Sequence, residues 1–92
     1  MGEERENKNQ VALQVITTSG NFPEKGFADF NIHEKLEVVL KAAARELKLQ
    51  GTQNWVARLG NRQLDPALTL EANHIPNDSK IFWGPTEPGG GV

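Results

Sequence analysis

One stretch of this chain repeats its apolar residues at helical spacing, and the stretches on either side of it do not. Leu36, Val39, Leu40, Ala43, Ala44 and Leu47 recur at steps of three and four, so a helix running between Glu34 and Leu49 carries one apolar face that has to be covered. The flanking segments alternate with a period of two, which makes them strands. A lone helical stripe between strands points to a single α+β layer pair, with a sheet laid over one helix. Glu37 and Lys41 form an i,i+4 pair on the outer side, Lys48 suits the negative pole of the helix, and Gly51 reads as its stop. Asn31 and His33 are both candidates for the start, which the reading places near His33.

Before the helix, Val11, Leu13, Val15 and Thr17 lie on one face of a strand running to Thr18, and Ala12, Gln14 and Ile16 lie on the other. Turn residues surround Phe22, and Phe27 to Ile32 reads as a second strand, antiparallel to the first. After the helix, Trp55 to Leu59 and Gln63-Leu64 form a hairpin across Gly60-Asn61-Arg62. Leu68 and Leu70 then anchor a loop, and Lys80 to Trp83 is the last strand. The reading divides the chain into a loose tail over residues 1–10, a folded domain over 11–84 and a glycine-rich tail over 85–92.

Composition removes several classes of function. With 92 residues there is material for one core. Ten basic residues against twelve acidic ones leave a net charge of −2, too little positive field to concentrate nucleic acid. The absence of cysteine excludes disulfides, thiolate zinc sites and a cysteine nucleophile. No apolar run approaches the roughly 18 residues of a bilayer span, and the opening Met1-Gly2-Glu3-Glu4-Arg5-Glu6 is too charged for a secretory leader, so no membrane partner and a cytoplasmic location are expected. Neither His33 nor His74 is framed by a carboxylate pair or a serine motif, so no catalytic residue, metal ligand or cofactor is assigned and the chain reads as a non-enzyme.

The order strand, strand, helix, strand, short strand, loop, strand is that of the β-grasp, and one segment carries a more specific likeness. Leu59-Gly60-Asn61-Arg62-Gln63-Leu64-Asp65-Pro66-Ala67-Leu68-Thr69-Leu70 resembles the turn segment of the ubiquitin family, and Asn73-His74-Ile75 resembles its Tyr-Asn-Ile stretch. From Leu64 through Thr69-Leu70 and Ile75 to Ile81 the anchors keep ubiquitin's spacing, with one extra residue between Gly60 and Leu64. The resemblance, over Val11 to Val92, implies a ubiquitin-like β-grasp with a mixed sheet of four to five strands on one helix (ββαββ).

The same count places the family's terminal glycine pair on Gly89 and Gly90, followed here by Gly91 and Val92; Thr86, Glu87 and Pro88 stand where ubiquitin carries arginines. A terminus without side chains can thread a narrow channel while its carboxylate is activated, so Gly89, Gly90 and Gly91 are the expected conjugation tail. The resemblance therefore implies a bacterial or divergent protein modifier, monomeric, with an E1-like activating enzyme and an isopeptidase as partners. Two other readings share the fold: a noncovalent interaction module of the GTPase-binding or secretion-accessory type, and a sulfur carrier. In the last strand alternation sets Ile81 and Trp83 against Phe82, and the resemblance implies that Phe82 is the aromatic that faces outward; with Val56 of the neighbouring strand turned inward, Trp55 and Ala57 join Phe82 as the expected partner-binding face.

Overall fold

The structure, a computed structural model, describes residues 9–85. Seven elements follow in order: β1 (Gln10–Thr17), β2 (Gly20–Phe22), β3 (Ala28–Asn31), α1 (Leu36–Leu47), β4 (Trp55–Leu59), β5 (Arg62–Gln63) and β6 (Ser79–Pro85). They form one six-stranded sheet in the order β2-β1-β6-β4-β5, with β3 also paired to β1. The central pair, β1 and β6, is parallel, and the other ladders are antiparallel. This is the β-grasp that the order of periodicities implies. The core joins Val11, Leu13 and Val15 of β1 to Leu36, Val39, Leu40 and Ala43 of α1, with Ala57, Leu64, Leu70, Ile75, Ile81 and Trp83 completing it.

The strand expected over Phe27 to Ile32 is β3, and a further short strand, β2, precedes it on the same side of β1 in the segment read as a turn. Phe22 pairs with Val15 and Gly20 with Thr17, whereas Ala28 pairs with Leu13 and Asn31 with Gln10. Residues 23–27 therefore stand opposite Gln14 alone and leave the sheet as an excursion. The Gln14 amide donates to the Pro23 carbonyl at 3.0 Å and is buried beneath this segment, although its strand face points away from the core. Phe22, read as part of a loop, tilts against Phe30 with ring centroids 6.3 Å apart, so the core has a reason to close β2 early. At the other boundary β1 begins at Gln10, one residue ahead of the expected start, since Gln10 pairs with Asn31 and the Asn9 carbonyl accepts from Ile32 N–H at 2.9 Å. Likewise Pro85, assigned to the tail, still pairs with Trp55.

Both ends of α1 are set by other parts of the chain. The helix starts at Leu36, after Lys35, with no side-chain cap. Its first free N–H groups are instead met by backbone: Leu36 donates to the Leu68 carbonyl at 2.9 Å and Glu37 to that of Pro66 at 3.0 Å. In return Leu70 N–H reaches the Glu34 carbonyl at 2.9 Å. Asn31 does act before the helix, its Oδ1 accepting from His33 N–H at 2.8 Å in an Asx turn. The stop falls at Lys48, with φ 57°, ahead of Gly51. Leu49 packs against the core and donates its N–H to the Ala44 carbonyl at 2.8 Å, which reverses the chain and obliges Lys48 to take the left-handed form at a cost of about 1 kcal/mol.

The loop that caps α1 is held by Asn73. Its Oδ1 accepts from Asp65 N–H at 2.9 Å, and its Nδ2 donates to the carbonyl of Asp65 at 2.8 Å and to that of Thr69 at 3.2 Å, all from a side chain 5% exposed. Arg62 clamps the same turn from outside by donating to the carbonyls of Asn73 and His74. Replacing Asn73 with alanine leaves several buried polar groups without partners and loosens the cap of α1. Urea unfolding of Asn73→Ala is expected to show a loss of about 2–3 kcal/mol, and Asn73→Asp at least as large a loss, since it sets a buried carboxylate oxygen against the carbonyls of Asp65 and Thr69.

Candidate functional site

Pairing across the sheet decides which side chains share a face. Ala57 is opposite Trp83 and Arg58 is opposite Phe82. Trp83 is buried among the core residues and Phe82 is 51% exposed, so Ala57 lies inside and Arg58 outside. Ala57 is accordingly 0% exposed. Trp55, on the same strand face, stacks edge-on against Trp83 with ring centroids 5.0 Å apart. It lines a hollow of about 290 Å³ on the helix side, together with Leu40, Ala44 and Pro66. Of the three residues expected to form an outer face, only Phe82 is there. The expected phase of β4 was off by one residue, and Trp55 and Ala57 belong to the core side. The expected tail residues Gly89, Gly90 and Gly91 lie outside the described residues.

The face that Phe82 occupies is built by a row across four ladders. Asn21 of β2 pairs with Ile16 of β1, Ile16 with Phe82 of β6, Phe82 with Arg58 of β4, and Arg58 with Gln63 of β5. In the next row Gly84 is opposite Val56. Gly84 contributes no side chain, and a Cβ built there would meet nothing within 4 Å. The result is an open depression of about 360 Å³ bordered by Ile16, Thr18, Val56, Arg58, Phe82 and Pro85. At one end Thr17 is held fixed, its hydroxyl donating to the Gly20 carbonyl at 2.8 Å and accepting from Ser19 N–H at 3.0 Å.

Ile16, Val56 and Arg58 were missed as members of this face. For β4 the sequence signal is a single residue: in Trp-Val-Ala-Arg-Leu the charge of Arg58 favours Trp55, Ala57 and Leu59 as the inner set, but the three successive apolar residues before it leave the phase to the pairing of Ala57 with Trp83. Ile16 follows by simple alternation from Val15. The histidines build nothing here: His33 lies 3.6 Å from Glu71 with both side chains largely exposed, a pair of little energetic weight. His74 takes a left-handed turn conformation at φ 55°. Among the described residues no group of His, Asp or Glu side chains is arranged to hold a metal, and no helix is long and apolar enough to cross a membrane.

No family model and no curated protein matches the sequence. Solved structures do match the fold. A designed protein based on ubiquitin is 16% identical with a TM-score of 0.70, covering 94% of this chain and 100% of the other. The ubiquitin of Caldiarchaeum subterraneum is 14% identical with a TM-score of 0.61, covering 88% and 99%. A chain from the structure reported as "Molecular Mimicry of SUMO promotes DNA repair" is 9% identical with a TM-score of 0.69, covering 86% and 95%. The fold is that of the ubiquitin-like β-grasp.

The inward placement of Ala57 has a direct test. Ala57→Leu is expected to overpack the core and lower stability by about 1–3 kcal/mol in urea unfolding. Arg58→Ala, one residue away on the exposed face, is expected to stay within about 0.5 kcal/mol of the parent. Equal effects at the two positions would contradict this phase of β4.

Proposed function

We propose that this ubiquitin-like domain works without catalysis, as a protein that others bind and attach, with two separable parts. One is the outer sheet face centred on Phe82, and the other is the tail at Gly89, Gly90 and Gly91. The observation that carries the first part is the half-exposed Phe82 ring at the middle of a sheet face, beside the depression left by Gly84. A large aromatic left half in water at the centre of a sheet leaves much of its apolar surface uncovered by the fold, whereas in an interface such a residue contributes about 2 kcal/mol or more. The sheet holds it without loops, so little ordering is needed on binding.

Support for the second part comes from spacing. The strand that carries Phe82 continues to Pro85, and Gly89 and Gly90 follow at ubiquitin's distance from the buried Ile81 and Trp83. In this reading a protease removes Val92, or Val92 with Gly91, and leaves a glycine of this run as the new terminus. An E1-like enzyme then adenylates the new carboxylate with ATP, releasing pyrophosphate; an enzyme thiol displaces AMP to give a thioester, and a lysine amine of the target displaces that thiol to form an isopeptide bond. An isopeptidase would hydrolyse that bond again. Such partners place the protein in the same cellular compartment as its targets, which we take to be the cytoplasm.

Two measurements separate the parts. Intact-protein mass spectrometry on denatured extracts of the native host is expected to find the domain in covalent adducts, and deletion of residues 86–92 to abolish them. A population found only as free, full-length chain would end the modifier reading in favour of a noncovalent module. For the face, Phe82→Ala is expected to weaken partner binding at least tenfold while lowering stability by only about 1 kcal/mol, so that the variant stays folded. Gly84→Val fills the depression in an open strand position, so it should weaken binding while holding or raising stability by about 0.5 kcal/mol.

A further inference from the structure

The hollow beside Trp55, on the helix side of the sheet, is apolar at its floor and balanced in charge at its rim. Leu40, Ala44, Trp55, Pro66 and Trp83 supply the floor, and the rim carries one acid, Glu37, against one base, Lys41. Both tryptophans of the chain border it. They meet edge-on at 5.0 Å, and Trp55 is left only half-buried although it lies on the inner side of β4. None of the described residues fills the space of about 290 Å³ between that ring, α1 and the Pro66 turn.

The described fold ends at the edge of this hollow. Pro85 is directly opposite Trp55 in the last rung of the β4–β6 ladder. Trp55 N–H donates to the Thr52 carbonyl at 3.1 Å, so the chain turns just ahead of β4, and Thr52 and Gln53 form the adjoining wall. The residues that follow Pro85, Thr86-Glu87-Pro88-Gly89-Gly90-Gly91-Val92, reach at most about 25 Å. The hollow begins one strand spacing away, roughly 5 Å. Pro88 and Val92 are the apolar members of this segment, and Pro88-Gly89 is turn chemistry: proline presets its φ, and glycine takes the left-handed position of a type II turn. Proline is also a good occupant of an aromatic-lined groove. Residues 1–8 match the hollow poorly. Because β1 runs parallel to β6, Asn9 lies at the Ser79 end of the sheet, about 20 Å or more from Pro85, and Met1 is the sole large apolar residue ahead of it.

We propose that residues 86–92 fold back onto the helix side of their own domain, with Pro88 laid against Trp55 and Val92 in the hollow between Trp55, Leu40 and Pro66. In this docked state Gly89, Gly90 and Gly91 form the bend and lie against the domain, withheld from any enzyme that must thread them. Release exposes them, so the hollow gates the tail. Docking stands on the geometry of the hollow, and the gate rests in addition on the reading of the tail as a point of attachment.

The test is NMR on the isotope-labelled full chain. Nuclear Overhauser contacts are expected from the Val92 methyls to the Trp55 indole and the Leu40 methyls. Val92→Ser lies too far along the chain from Pro85 to disturb β6 directly, yet it is expected to shift the indole N–H signals of Trp55 and Trp83 and the amides of Ala44, Thr52 and Gln53. Pro88→Ser should shift the same set, and Ile16 and Arg58 on the outer face should stay in place. Ala44→Glu, which sets a charge in the hollow, should remove the contacts from the other side, with its folding checked by its amide spectrum. Carboxypeptidase is expected to release Val92 roughly threefold faster or more from Pro88→Ser and Ala44→Glu than from the parent, since cleavage follows the undocked population. Signals around the hollow that ignore both tail substitutions, or changes confined to the outer face, overturn the docking. Contacts that fade on dilution overturn it in favour of the tail of a second copy. Equal rates of Val92 release overturn the gate. Absence of covalent adducts in the native host, with the contacts intact, ends the attachment reading and the gate with it, and leaves the docking standing.

Discussion

Parallel pairing of β1 with β6 joins the two ends of the described chain at the centre of the sheet, and the remaining elements take their places from that ladder. Closing it brings together residues 65 positions apart, as in the bond from Ala12 N–H to Asn77 Oδ1, at an entropic cost of about 4 kcal/mol plus a constant. Burying Leu13, Val15 and Ile81 along the ladder returns about 1.5–3 kcal/mol each, enough to carry that cost. Register is set at the point where β6 begins. Asn77 and Asp78 both bond to the backbone of Ala12, with Asp78 in a left-handed turn at φ 61°, so Ser79 has to fall beside Leu13. The same register puts Ile16 beside Phe82, and the outer face is thereby decided.

Helix and loop are coupled in a second way that no local rule describes. The first turn of α1 lacks a side-chain cap because the backbone of residues 66–68 supplies its acceptors, and that backbone is held in turn by the buried amide of Asn73. A helix start, a loop and a buried polar side chain thus form one cooperative unit. It lies on the core side of the sheet, away from Phe82, so that changes to the outer face leave it intact. This separation is what makes a binding surface on the opposite side open to variation without loss of the fold.

The outer face gains its character from three plain features: an aromatic that alternation turns outward, a glycine that leaves space, and an arginine without a partner among the described residues. Together with the glycines beyond Pro85 they give the proposed function two surfaces, one for recognition and one for attachment, and neither requires the other to move.

The helical stripe from Leu36 to Leu47, the alternation of Val11, Leu13 and Val15, and the anchor spacing from Leu64 to Ile81 were legible in the sequence, because each repeats one period over enough residues to exclude the other. Those patterns determined the β-grasp; the outward Phe82 was implied by the resemblance, since alternation alone only separates it from Trp83. Tertiary structure alone decided the phase of β4, the division of β2 from β3 and both limits of α1. In β4 the residues Trp55, Val56 and Ala57 are all apolar, so either face could have been the inner one until the pairing of Ala57 with Trp83 chose. The helix limits were hidden for a different reason: their hydrogen-bond partners lie at Pro66 and Leu68, and their anchor at Leu49 depends on a core that exists only once the sheet has formed. A period is a property of neighbours in the chain, whereas a phase or an end is fixed by whatever the folded chain brings opposite.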